Sequence, residues 1–433
     1  MGSLMTYSPR TFQKFPYKEY NQMENRVVIT GMGIVSPIGS DLESFRTALL
    51  SGVCGIDTIT RFDTSDLKVK VAGMVTDFDP LQYMAKIDVK KNDLYTQFAI
   101  GAAAQAVEMS GITGTIDPFE LGVYFGSGIG GFNTFVEERD IMLNRGPARV
   151  SPHFVPKMIS NIAAGTIAIR YGAKGPCLSI VTACATGTNA IGEAYRAVKH
   201  GYCTAAITGG AEASIHPLAV AGFSNMTALT TETDPMKASI PFDKNRSGFV
   251  MGEGAGALVI ESLEHAQARG AVILAEIVGY GSTCDAHHIT APDPEASASG
   301  RAISIAMKEA GYTSDDVVYI NAHGTSTPMN DKTETNAIKL AFGDDAAKVH
   351  VSSTKSMTGH MLGAAGAAEA IASVIALQTG TIPPTIHYET PDEECDLDIT
   401  PNTAVQADPT LALSTSLGFG GHNGCIALRK WNG

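Results

Sequence analysis

Ser179-Ile-Val-Thr-Ala-Cys184-Ala-Thr-Gly187-Thr-Asn-Ala-Ile191-Gly-Glu-Ala194-Tyr195-Arg-Ala-Val198-Lys-His-Gly201 carries two signals in one stretch. An apolar run stops at Thr182-Ala183, and apolar residues then recur at helical spacing through Ile191, Ala194, Tyr195 and Val198 until Gly201 supplies a stop. The pattern predicts a strand handing over to a largely buried helix, with the Cys184 thiol in its first turn. Unpaired N–H groups and the helix dipole at such a place lower a thiol's pKa. A packed core cysteine is the ordinary alternative. The strand-to-helix junction and the histidines downstream favour a nucleophile.

The same stretch bears on the whole chain. Ala185–Gly201 aligns without gaps to Ala364-Ala-Gly366-Ala-Ala-Glu369-Ala-Ile-Ala-Ser-Val-Ile-Ala376-Leu-Gln-Thr-Gly380, and each copy follows a strand and a Ser/Thr-containing turn. Two such helices, apolar all round, would pack closely. Short apolar runs at Leu121–Phe125, Leu178–Val181, Ala205–Thr208, Ala257–Ile260, Ala275–Val278, Val317–Asn321 and Val349–Ser352 alternate with amphipathic helices, which predicts α/β layers. Arg26-Val-Val-Ile-Thr-Gly31 opens the folded part as a buried strand. A break near Arg269-Gly270 divides two similar halves, 25–272 with the cysteine and 273–433 with the histidines. Residues 1–24 are polar and aperiodic and read as a flexible N-terminal extension or cloning remnant.

Composition narrows the class. The 433 residues carry a formal charge of −13, which argues against nucleic-acid binding. No apolar stretch reaches the roughly 18 uninterrupted residues of a membrane span. The seven cysteines are scattered, odd in number and without CxxC spacing, as suits reduced thiols in a cytoplasm.

Three polar clusters share the chemistry-bearing pattern of residues on strand-end turns: Asn321-Ala-His323-Gly-Thr325-Ser-Thr327, Ser353-Thr-Lys355-Ser-Met-Thr-Gly-His360, and Leu417-Gly418-Phe419-Gly420-Gly421-His422. Other motifs carry less. Gly126-Ser-Gly128-Ile-Gly130-Gly131 follows a strand, but no second strand with a terminal acid follows, so a dinucleotide site is not expected. Gly252-Glu-Gly-Ala-Gly256 precedes a strand rather than a helix. Cys284-Asp285-Ala-His287-His288 has ligand-type residues and nothing to fix a metal geometry.

Taken together, Thr182-Ala-Cys184-Ala-Thr-Gly, Asn321-Ala-His323-Gly-Thr-Ser-Thr, Lys355-Ser-Met-Thr-Gly-His360 and Gly418-Phe419-Gly-Gly resemble the motifs of the β-ketoacyl-[acyl-carrier-protein] synthases, and the likeness runs from Arg26 to Arg429. It is nearest to the free-standing type II enzymes of fatty-acid elongation. The resemblance implies a duplicated, five-layered αβαβα thiolase-like fold. It also implies a decarboxylative condensation of an acyl thioester with malonyl-carrier; polyketide-type ketosynthases and thiolase-type acyltransferases are the alternatives. By the same resemblance Cys184 takes the acyl group, His323 and His360 stabilise the enolate, Lys355 orients the site electrostatically, and Phe419 lends an oxyanion-hole N–H and a gate. Ile129 and Phe223 would line the acyl tunnel, with Gly420 in the substrate-binding loop. Thr325 and Thr327 would contact the carrier's phosphopantetheine arm, and Lys86, Lys90 and Lys91 would receive the acidic carrier. Glu369 matches a site tied to the histidines or to a structural monovalent cation, or else pairs with Lys355. No other cofactor, no metal, no nucleic acid and no membrane are implied, and a homodimer is. Thr227 stands where relatives often carry Arg.

Overall fold

In the computed structural model, residues 24–433 are described. The expectation for 1–24 therefore lies outside the described residues, except at Glu24, whose carboxylate meets Lys199 Nζ at 3.3 Å.

Ten strands are joined in one hydrogen-bonded array: β1 (Val27–Val35), β2 (Leu121–Gly126), β3 (Cys177–Leu178), β4 (Ala205–Glu212), β5 (Gly254–Ser262), β6 (Ala275–Cys284), β7 (Val318–Asn321), β8 (His350–Ser352), β9 (Leu411–Gly418) and β10 (His422–Lys430). Their order is β8-β7-β9-β10-β6-β1-β5-β4-β2-β3. Read outward from the middle, both halves repeat one topology. β1 runs antiparallel to β5 and β5 to β4, whereas β4, β2 and β3 are parallel. Likewise β6 is antiparallel to β10 and β10 to β9, whereas β9, β7 and β8 are parallel. The halves meet where Val27, Val28 and Ile29 of β1 face Ile277, Glu276 and Ala275 of β6. The predicted Leu178–Val181 strand is shorter than expected: only Cys177–Leu178 pairs, because the chain must already be turning toward Cys184.

Helices repeat in the same way. α1 (Leu94–Ser110) and α2 (Ile162–Tyr171) cover the outer face of the first half, and α4 (Ser297–Glu309) and α5 (Pro328–Phe342) cover that of the second. Between the halves lie α3 (Thr186–Lys199) and α6 (Ala365–Thr379), each touching strands of both halves and each other. This is the five-layered αβαβα arrangement expected from the repeat. Its inner layer explains why α6 is buried at every residue from Ala365 to Leu377. By length and composition Leu362–Thr379 could cross a membrane, yet 89% of it is buried inside the protein.

The gapless alignment of the two helices is also a structural correspondence. Ala183 and Leu362, at matching places before them, both have left-handed backbone (φ 49° and 47°), and each opens a short 3₁₀ turn (Ala183–Ala185 and Leu362–Ala364). Gly187 and Gly366 also match, and their contacts are reciprocal. A Cβ on Gly187 would lie 2.7 Å from Ala367 N, and one on Gly366 would lie 2.6 Å from Thr188 N. Glycine is therefore needed where the inner helices cross.

Candidate active site

Each candidate side chain sits where a strand or a crowded turn ends. Cys184 lies in the 3₁₀ turn just ahead of α3, which begins at Thr186, rather than in its first α-helical turn. The left-handed Ala183 bends the chain sharply there, a strained conformation for a residue with a Cβ. Behind the turn, Asn189 Nδ2 donates to Thr182 Oγ1 (2.8 Å), and Tyr280 from the second half donates to Asn189 Oδ1 (2.9 Å). Gly418 packs against it, its Cβ direction only 3.3 Å from Cys184 N.

The expected low pKa of Cys184 is not found. Burial pushes the thiol up to about 12. Lys355 and the backbone N–H groups of Phe419 and Cys184, both at Sγ, pull the other way and do not overcome it. The desolvation of a buried thiolate dominates. The two N–H groups converge beside Sγ, the region where donors to a developing oxyanion would have to stand.

His323 follows β7. Its backbone N–H and that of Gly324 donate, at 2.7 Å each, to the two oxygens of buried Glu334, which also accepts from Thr415 Oγ1 (2.6 Å). Burial raises the Glu334 carboxyl to about 7. His360 ends the turn after β8, and its ring stands edge-on to that of His323 with centroids 5.1 Å apart. Leu362 N–H donates to His360 Nδ1 (3.3 Å). Nδ1 is thus the acceptor, so the ring proton sits on Nε2, which is buried and without a protein partner. Burial, with Lys355 reinforcing it, holds both imidazoles well below 6.5, so they are neutral. Lys355, 1% exposed, forms an ion pair with Glu369.

One cavity of about 380 Å³ unites Cys184, His323, His360, Phe419, Thr325 and Thr327. Thr325 Oγ1 and Thr327 Oγ1 lie 3.0 Å apart, and Thr227, with left-handed backbone, is also in the wall. Phe223 reaches the cavity through Phe419, their rings 6.4 Å apart, and through Phe249 at 5.7 Å. Ile129 and Gly420 lie outside this wall: Ile129 is 37% exposed, and Gly420 (φ +88°) serves the hairpin turn between β9 and β10. Lys86, Lys90 and Lys91 are exposed on the short helix Lys86–Lys91. Residues 241–249 form an anchor: Asp331 accepts from Phe242 N (2.8 Å) and Ser326 N (3.2 Å) and faces Arg246, holding the turn at 325–327.

Glu334 and Glu212 are buried carboxylates at the site that the sequence reading did not single out. The second resolves the GxGxxG puzzle. Gly128 N (2.9 Å) and Ile129 N (3.3 Å), which a phosphate would use in a nucleotide fold, donate to Glu212, the last residue of β4. A glutamate closing a strand of otherwise small residues was the available signal.

Comparison with known proteins agrees with this geometry. The model "Beta-ketoacyl synthase, N-terminal domain" matches residues 24–266, and "Beta-ketoacyl synthase, C-terminal domain" matches 274–389. The 3-oxoacyl-[acyl-carrier-protein] synthase 2 of Staphylococcus aureus (strain COL) is 53% identical over 409 residues, covering 94% of this chain and 98% of the relative. The protein of that name from Synechocystis sp. is 49% identical over 413 residues, covering 95% and 99%. Among solved structures, the ishigamide ketosynthase/chain length factor superposes with a TM-score of 0.88 at 36% identity, covering 94% of this chain and all of that one. A type II PKS ketosynthase in complex with its acyl-carrier protein gives 0.87 at 33%, covering 95% and 100%. Sequence motifs, duplicated layers and site geometry thus converge, and the chain belongs to the beta-ketoacyl synthase family.

Proposed function

We propose that this protein elongates fatty acyl chains by decarboxylative Claisen condensation: acyl-carrier plus malonyl-carrier gives 3-oxoacyl-carrier, carbon dioxide and free carrier. The observation that carries the reading is the convergence of a cysteine and two neutral, edge-on histidines in one cavity. Cys184 Sγ attacks the acyl thioester, and the proton it loses goes to the departing carrier thiolate, so a resting neutral thiol suffices. The N–H groups of Cys184 and Phe419 receive the developing oxyanion. Malonyl-carrier then loses carbon dioxide, leaving its electron pair on the enolate, whose oxygen accepts from His360 Nε2–H with His323 beside it. The enolate carbon attacks the acyl-cysteine and frees Sγ as the new carbon–carbon bond forms. Burial, reinforced by Lys355, keeps both rings neutral, as donors rather than cations.

Further roles follow the same reading. Thr325 and Thr327 would hold the phosphopantetheine arm, Phe419 and Phe223 would gate the acyl side, and Ile129 would reach a chain only beyond the cavity described. Lys86, Lys90 and Lys91 supply positive charge for an acidic carrier on an acidic protein. Glu369 serves best as partner of Lys355; its one remaining oxygen, beside an ammonium, is a poor seat for a monovalent cation. Edge strand β3 with exposed Leu178 (53%), and exposed Val181 (51%) in the turn that follows it, supports a homodimer. Seven cysteines with no disulfide between them support a cytoplasmic setting.

The test is incubation with acyl-carriers of graded length plus malonyl-carrier, with products identified by mass. One two-carbon addition per cycle is expected. Repeated additions on one enzyme without ketone reduction would favour the polyketide reading, which the structural neighbours raise at lower identity.

A further inference from the structure

Glu212 is fully buried at the end of β4, between the two halves of the site. Its Oε1 accepts from Ser127 Oγ (3.1 Å) and Ile129 N (3.3 Å), and its Oε2 accepts from Gly128 N (2.9 Å) and Gly363 N (3.1 Å). Ser127 Oγ accepts in turn from Gly130 N (2.9 Å), closing the loop on itself. Three of the four donors belong to the first half and one to the second.

The fourth contact gives the arrangement its meaning. Gly363 stands in the duplicated turn at the place that Cys184 holds in the first half, and it follows Leu362 directly. Leu362, in left-handed backbone, gives its N–H to His360 Nδ1. Two successive amides of one strained turn are therefore committed, one to Glu212 and the other to the imidazole. On its other side, the loop held by Glu212 runs close behind the Cys184 turn, with the Gly128 Cβ direction 3.5 Å from Ala183 O. No side chain at Gly128 or Gly363 would be tolerated, since a Cβ at either would lie under 3.0 Å from a Glu212 oxygen.

We infer that Glu212 is a positioning residue for the condensation: it ties the 127–130 loop to the Leu362–Ala364 turn and thereby holds His360 in the tautomer that presents Nε2–H to the substrate. The inference rests on the proposed reaction only for its kinetic readout. Its mechanism is plain. A carboxylate accepts from all four donors at once, and an amide could still keep its oxygen at the Oε2 place and hold Gly128 N and Gly363 N, whereas a leucine of similar size accepts from none. The Leu362–Ala364 turn then loses its tether, and the Nδ1 bond that selects the tautomer goes with it.

The experiment compares the full-length protein with its Glu212→Leu variant, which leaves no acceptor for Gly363 N. The primary readout is the ¹⁵N spectrum of histidine-labelled protein, with His360 assigned by its absence in His360→Asn. The wild type should show His360 with a pyrrole-type Nε2 and a pyridine-type Nδ1, and Glu212→Leu a mixture of tautomers. In parallel, malonyl-carrier decarboxylation should fall on the order of tenfold or more, the scale of a lost hydrogen bond to a charged group. Transfer of a labelled acyl group to Cys184 should stay within about threefold, because its oxyanion donors are untouched. An unchanged His360 tautomer in Glu212→Leu overturns the inference, as does an equal fall in both partial reactions. A wild type that does not decarboxylate malonyl-carrier overturns the proposed function and leaves the tautomer comparison to decide the role of Glu212. If Glu212→Leu does not fold, Ser127→Ala, which removes one Oε1 donor while sparing Gly363, should keep the wild-type tautomer; a mixture there overturns the inference.

Discussion

At the scale of single residues, the site works with neutral groups. Replacing Cys184 by Ala should remove condensation by more than about three orders of magnitude while circular dichroism and thermal midpoint stay unchanged. Cys184→Gln should still decarboxylate malonyl-carrier, measured as released carbon dioxide, because the histidines remain; His323→Ala should lose most of that activity. The histidines were legible as a pair because both sit on polar turns after apolar strands. Their common neutrality was not legible, since it comes from burial and from Lys355, a lysine whose own burial no sequence pattern announces. The Cys184 thiol taught the opposite lesson. Its position before a helix was readable, and its raised pKa was not, because desolvation depends on what the other half of the chain lays over it. Glu334 looked like an ordinary helix glutamate, and only the folded chain brings the His323 and Gly324 amides to its two oxygens.

At the scale of elements, the inner helices decide the architecture. The gapless match between Ala185–Gly201 and Ala364–Gly380 was visible as sequence, and so was the alternation of strands and helices. The crossing point was not, because no local pattern tells which glycine meets which neighbour. Gly366→Val should cost about 2–3 kcal/mol by overpacking, read as a lower urea midpoint with an unchanged slope. The glycine-rich loop after β2 shows why motif spacing alone misleads: its amides do bind an anion, and the anion is the protein's own carboxylate.

For the whole molecule, buried titratable groups set opposing pH dependences. His323 and His360 have folded pKa values below 6.5, so as pH falls below about 6.5 the unfolded chain takes up protons that the folded protein refuses, and stability is lost. Glu212 and Glu334 have folded values near 7 against an ordinary 4.5, so stability is lost as pH rises from about 4.5 toward 7. The His323→Leu/His360→Leu double variant should therefore gain stability relative to the wild type on going from about pH 7.5 to about pH 5. The gain should be on the order of 1–3 kcal/mol by denaturant titration. A constant difference across that range would show that the rings do not resist protonation.

The shared inner layer has one further consequence, in time rather than in space. Helix α3 and the strands of the first half cannot be covered until α6 has been made, since each inner helix leans on both halves. On a ribosome adding roughly 5–20 residues per second, synthesis of residues 274–433 takes about 8–30 s. During that interval the nascent first half presents an uncovered apolar face of its own. Its passage through the cell is then a race between completion and capture by chaperones or by another nascent copy.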